Sequence, residues 1–212
     1  MIERALEGRS LRVVASIATA FACTLALWWA FIRAERVPLL SGVDLGFHEF
    51  GHLAFAWAPG LITPLAGSVV QVAVPLGLAA YFWFRRREVL AAALMLAWAG
   101  TSAQNVSVYI ADAPTEYLPL LGGGRHDWAW ILSQIGHIEW AAPLARTVWF
   151  VGLVLALAGL ALAVSPLLAP RVLAWREGRL RARLALLPRR EPRNRVALPS
   201  LGAEEVEPDD HL

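Results

Sequence analysis

The chain has 212 residues, 58% of them hydrophobic, and a formal net charge of +2. Several apolar runs are long enough to cross a bilayer, which takes about 20 residues, so a soluble globular domain is excluded. The expected fold class is all-α: a polytopic membrane helix bundle with four to six membrane segments. All 19 basic residues are arginine, and they gather at the ends of apolar runs, which argues for membrane topology and against a nucleic-acid partner.

Residues 1–10 are short and mixed in charge. The first span is expected over 11–32, ending in an interfacial pair, Trp28 and Trp29. Its apolar part is too long for a signal-peptide core, and no small-residue cleavage site precedes Arg33, so it reads as an uncleaved anchor. The single Cys23 lies within it and cannot form an intrachain disulfide.

After a short polar connection with Pro38, the run 43–58 contains Phe47-His48-Glu49-Phe50-Gly51-His52. This is H-E-x-x-H. On a helix, His48 and His52 are one turn apart on the same face. Two imidazoles at that spacing bind one Zn²⁺, and Glu49 reaches a metal-bound water as general base. Asp44 lies one turn earlier and is expected to orient the His48 ring. Burying three ionisable groups in lipid costs about 2.5 kcal/mol or more for an acid, unless they are paired or used. At 16 residues the run is short for a crossing, so it reads as a short span or a re-entrant half-helix, stopped by Pro59-Gly60. Gly46 and Gly51 leave space for close helix approach.

The next spans are expected over 61–84 and 89–111. Pro64 and Pro75 are expected to kink the first, in which Ser68 and Gln71 are polar positions. The second carries Thr101-Ser102-Ala103-Gln104-Asn105 and ends at Asp112. Thr101 and Ser102 read as interhelical hydrogen-bonding groups. Asn105 and Asp112, two turns apart on one face, read as residues lining a site.

A loop is expected over 113–125, with Gly122-Gly123-Gly124 and then His126-Asp127-Trp128. No Lys-Ser/Thr comes after the glycines, so this is no P-loop. The glycines allow a sharp turn that delivers His126 and Asp127 to a fixed place. Residues 128–142 are amphipathic, and His126, Trp130, Gln134 and His137 are expected on one helical face. The last span is expected over 144–168, closed by Pro166 and Pro170. Residues 1–170 form the membrane-embedded domain. Residues 171–212 are a tail with nine arginines, first a basic helix on anionic lipid, then from about residue 188 disordered, acidic and containing His211.

Apart from His211, the histidines cluster in two places. A catalytic zinc takes three protein ligands and leaves one position open, so a third must join His48 and His52. The candidates are His126, Asp127, Asp112, Glu116 and His137. His126 and His137, about 16 Å apart along a helix, cannot both serve one ion.

His48-Glu49-Phe50-Gly51-His52 in a membrane helix resembles the intramembrane zinc metalloproteases of the site-2 protease type. The resemblance implies zinc held by His48 and His52 and a base at Glu49. In that family an Asp of a second motif, on a later membrane helix, is the third ligand. That motif is absent here, and the third ligand stays open among the candidates. The chain also resembles small bacterial membrane proteins that pair H-E-x-G-H with a later H-D-W, which implies one site built from both motifs.

Two topologies are compatible with the pattern. With four spans, and the H-E-x-x-H and Trp128 segments not crossing, 15 of the 19 arginines share the side of the termini; with six spans, 13 do. The positive-inside rule prefers the first, with both termini cytoplasmic, in a bacterial inner membrane. The expected function is a membrane-embedded zinc-dependent hydrolase, foremost a metallopeptidase acting on a membrane protein or peptide. The alternatives are a zinc hydrolase of lipid amides or esters and a non-enzymatic metal-binding membrane protein. The expected partners are the lipid bilayer and the substrate.

Overall fold

The computed structural model describes residues 2–120 and 124–185, with side chains over 10–120 and 124–168. Gly122, Gly123, His211 and the acidic tail expected to be disordered lie outside the described residues. The chain divides into two units, 1–171 and 172–212, and the bundle that builds the site belongs to the first. Among the described residues the structure is helical, with no strand.

Helix α1 (Ile2–Leu27) ends in a widened turn, Trp28–Ile32. Helix α2 (Leu40–Ala54) carries the H-E-x-x-H motif. Helix α3 (Ile62–Tyr81) closes through a second widened turn, Phe82–Arg86, and α4 (Val89–Asp112) begins at once. A short α5 (Asp127–Gln134) and a single tight turn, Ile138–Trp140, lead into α6 (Ala141–Ala185). Helix α6 continues through Pro166 and Pro170, which were expected to close it. A proline costs a helix one hydrogen bond and a kink, and membrane helices tolerate that loss.

Four segments are long and apolar enough to cross a membrane: Ser10–Ile32, Ile62–Arg86, Val89–Asp112 and Ile138–Leu168. Their packing is that of a bundle without a hydrophobic driving force between its helices. Large apolar side chains such as Leu11, Phe21, Val69 and Phe150 point outward, while alanines, Ser102 and Gln71 are buried between helices. Helices α4 and α6 meet through glycine. A Cβ on Gly152 would stand 2.6 Å from the Gly100 carbonyl oxygen, and one on Gly159 would stand 2.7 Å from that of Ala93. Only small residues allow backbones that close.

The contacts fix the directions of the helices. Gly152 meets Gly100 while Gly159 meets Ala93 and Ala97, so α6 runs antiparallel to α4. The Cys23 thiol lies 4.0 Å from the Ala93 carbonyl and the Phe31 ring packs on Trp149, so α1 runs with α4. His52 bonds the Thr63 carbonyl while His48 reaches Gln71, so α2 runs against α3. Helices α1 and α2 therefore point the same way, and the connection 33–39 must run back between them. The segment 33–54 thus enters the bundle as an extended connection and leaves it as a helix on the same side. Ala34 and Leu39, at the two ends of that connection, both take left-handed φ values, +53° and +64°. Such conformations cost a non-glycine residue of order 1 kcal/mol and persist where the surroundings hold them.

Candidate metal centre

The site begins with the close contact of α2 and α3. Gly51 lies so near α3 that a Cβ there would stand 2.5 Å from the Ala66 carbonyl oxygen. Gly46, expected to serve the same purpose, has open space instead. The approach presses the His48–His52 face of α2 against α3. His48 Nδ1 lies 3.2 Å from Gln71 Oε1, and His52 Nδ1 lies 2.9 Å from the Thr63 carbonyl oxygen. The Gln71 amide is oriented by its other end, where Nε2 donates to the Ser102 carbonyl at 3.5 Å and Ser102 Oγ donates back to the Gln71 carbonyl. Both ring Nδ1 atoms thus face acceptors and carry the proton. Each Nε2 then offers a lone pair to a metal once its own proton is lost, and the two rings sit edge to face with centroids 4.7 Å apart.

The third donor comes from α5. Asp127 Oδ2 lies 3.2 Å from Nε2 of His48 and 3.2 Å from Nε2 of His52. Three contacts hold α5 there. His126 is its N-cap, with Nδ1 accepting from the Ala129 backbone N–H. Trp128 donates its indole N–H to Ser68 Oγ on α3. Tyr109 on α4 donates its hydroxyl to Asp127 Oδ2 and accepts the Asp127 backbone N–H. Burial pushes the Asp127 carboxyl up, but hydrogen bonds from His48 and His52 outweigh it and hold the group well below the usual carboxylate range. The hydrogen bond from Asp127 lifts His52 to about 9, against desolvation that works the other way.

Two imidazole nitrogens and one carboxylate oxygen converging in this way can hold a metal ion. The 3.2 Å separations are close to the edge, about 3.3 Å, of a coordination tetrahedron with bonds of about 2.0–2.1 Å. Gly67 reserves the space. A Cβ on it would stand 2.7 Å from His52 Nε2 and 2.8 Å from His48 Nε2. The triad opens into a cavity of about 560 Å³ that is also lined by Glu49, Asn105 and Tyr109. Glu49 is exposed into this space and makes no hydrogen bond or ion pair among the described residues.

The remaining sequence candidates lie elsewhere. His126 is fully buried, but its Nδ1 is occupied by the cap and its Nε2 faces Asp112 Oδ2 at 3.4 Å. Asp112 accepts from the Thr115 hydroxyl and the Tyr117 and Leu118 backbone N–H groups, so it folds the loop after α4 rather than lining the cavity. Asp44 does not orient His48; it accepts from the Trp98 indole at 2.8 Å, and Gln71 orients the ring. One turn on a helix places Asp44 below His48, but its carboxylate is short and Trp98 on α4 reaches it first. His137 falls outside α5, which ends at Gln134; it stacks on Trp140 and pairs with Glu139. Glu116 is exposed in the loop with φ +51°. Gln71 was visible in the sequence as a polar residue within an apolar span. Gly67, Thr63 and Tyr109 carried no such signal, since glycine, threonine and tyrosine are ordinary in membrane helices.

No family model, curated protein or solved structure matches the chain.

Proposed function

We propose that the protein is an integral membrane, zinc-dependent hydrolase that cleaves the acyl C–N or C–O bond of an amide or ester at the boundary of the bilayer. The observation that carries this reading is the convergence of His48, His52 and Asp127 on one point, with Glu49 unpaired in the same cavity. Three protein ligands leave zinc one open position, the arrangement of catalytic rather than structural sites. Bound there, the metal would supply an acidified water and polarise a carbonyl. Glu49 accepts the proton of the attacking water and returns it to the leaving group. Gln71 and the Thr63 carbonyl keep the two imidazoles in the tautomer that ligates, as outer partners do in metal sites. Tyr109 fixes Asp127 from the wall of the cavity.

The H-E-x-x-H resemblance makes a peptide bond the first substrate to test, with lipid amides and esters as the second reading. Four crossings return the chain to its starting side, and the arginine distribution makes that side cytoplasmic. Elemental analysis of protein purified without a metal-affinity tag tests the reading. About one zinc per chain is expected, lost in His48→Ala/His52→Ala. Full retention of zinc in that double variant overturns it.

A further inference from the structure

We propose that Arg36 and Arg125 form an anion subsite in the cavity, and that the substrate is an acyl lipid bearing a phosphate head group. This rests on the hydrolase reading and takes the second of its two substrate classes, the lipid esters and amides.

Both arginines line the cavity that holds His48, His52 and Glu49. Neither has an acidic partner among the described residues. Glu35, the acid beside Arg36, lines the cavity as well, but it is engaged at 2.7 Å by Arg33, which does not. Arg125 is held differently, with its guanidinium 4.6 Å above the Trp130 ring, also part of the wall. A guanidinium over an aromatic face keeps its N–H groups free, and free N–H groups are what arginine uses to bind phosphate through two hydrogen bonds. An unpaired cation on a protein surface is ordinary. Two of them stand on the wall of one cavity with the His48–His52–Asp127 triad, where Glu35 is already engaged by Arg33 and Glu49 has no ion pair among the described residues, so positive charge is left free to meet an anion.

Depth selects the anion. Gly67 is five residues into α3 and Tyr109 three residues before the end of α4, so the triad lies about 5–8 Å inside the ends of these spans. That is near the edge of a hydrocarbon core about 30 Å thick, where the acyl carbonyls of lipids lie. The two arginines come from the connections 33–39 and 113–126 rather than from the spans. A phospholipid presents its groups in that order: acyl chain, carbonyl, then phosphate toward water. A peptide carries such a charge only where an acidic side chain or a free carboxylate happens to flank the scissile bond, whereas every phospholipid carries one.

The test uses the full chain in neutral detergent, zinc-loaded and after EDTA. Dihexanoyl phosphatidic acid and dihexanoylglycerol are titrated against it, with tryptophan fluorescence as the readout. Wild type is expected to bind the phosphatidic acid about tenfold or more tightly than the neutral lipid, as for a charge-assisted hydrogen bond. Arg36→Gln/Arg125→Gln is expected to erase that preference with zinc content unchanged, and Arg36→Lys/Arg125→Lys to keep most of it. If the glutamine pair does not fold, loss of preference in Arg36→Gln alone supports the subsite. Equal binding of the two lipids by wild type overturns the proposal, as does a preference that survives in every glutamine variant. Arginine-dependent selection of an N-hexanoyl dipeptide with a free carboxylate over the phosphatidic acid overturns it too, in favour of a peptide. A preference that persists after EDTA, in protein that cleaves no ester when zinc-loaded, keeps the subsite and removes the hydrolase reading instead.

Discussion

Gly67 on α3 stands where a single added carbon would lie 2.7 Å from His52 Nε2. The nearest backbone of α3 is thus the back wall of the candidate metal site, and the three donors can converge because that wall has no side chain. Gly67→Ala is expected to force the imidazoles apart, at a cost of about 1–3 kcal/mol, typical of overpacking. Zinc affinity should fall by a corresponding ten- to hundredfold while helicity by circular dichroism stays the same. Unchanged zinc affinity would show that the two Nε2 atoms do not share an ion at this point.

Asp127 and His126 are adjacent in sequence but are expected to fail differently. Asp127→Ala removes a ligand, and its zinc content should drop as far as that of the His48→Ala/His52→Ala protein. His126→Ala removes the cap of α5, worth about 1 kcal/mol, and only loosens the Asp127 carboxylate. Its zinc affinity should fall by about five- to tenfold, as a loss of about 1 kcal/mol implies. Asp112→Ala should leave zinc content intact. Complete zinc loss in Asp112→Ala with retention in Asp127→Ala would reverse the assignment.

Glu49→Gln is expected to keep zinc and lose turnover by about 10²–10⁴-fold, the usual contribution of a general base. Glutamine preserves size and hydrogen bonding but cannot take the proton. An unchanged turnover number on any substrate found would remove Glu49 from the chemistry.

Metal uptake should depend on pH through His52. Its partner Asp127 lifts it to about 9, so at neutral pH the ring carries a proton that zinc must displace. Affinity is therefore expected to rise with pH, by about tenfold per unit up to about pH 9, and to level off above. Zinc titrations at several pH values, with proton release followed by indicator dye, check this. A flat profile between pH 7 and 9 contradicts a protonated His52 in the apo site.

Composition alone determined the fold class, because apolar runs of bilayer length leave the chain few stable arrangements other than a helix bundle. The motif itself fixed the pairing of His48 with His52, since one helical turn brings i and i+4 to one face whatever surrounds them. Spacing on one helix says nothing about contacts between helices. Hence Asp44, in register with His48, went to Trp98, while Gln71, 23 residues away, took the ring. The choice among Asp127, His126 and Asp112 was likewise made by packing. The seat of Trp128 on Ser68 and the cap by His126 rotate the first turn of α5 so that one of two neighbouring side chains faces the cavity and the other faces Asp112. Only the tertiary structure could decide that, because the chain turns from extended to helical between the N-cap His126 and Asp127, and the docking of the helix selects which of the two side chains faces His48 and His52.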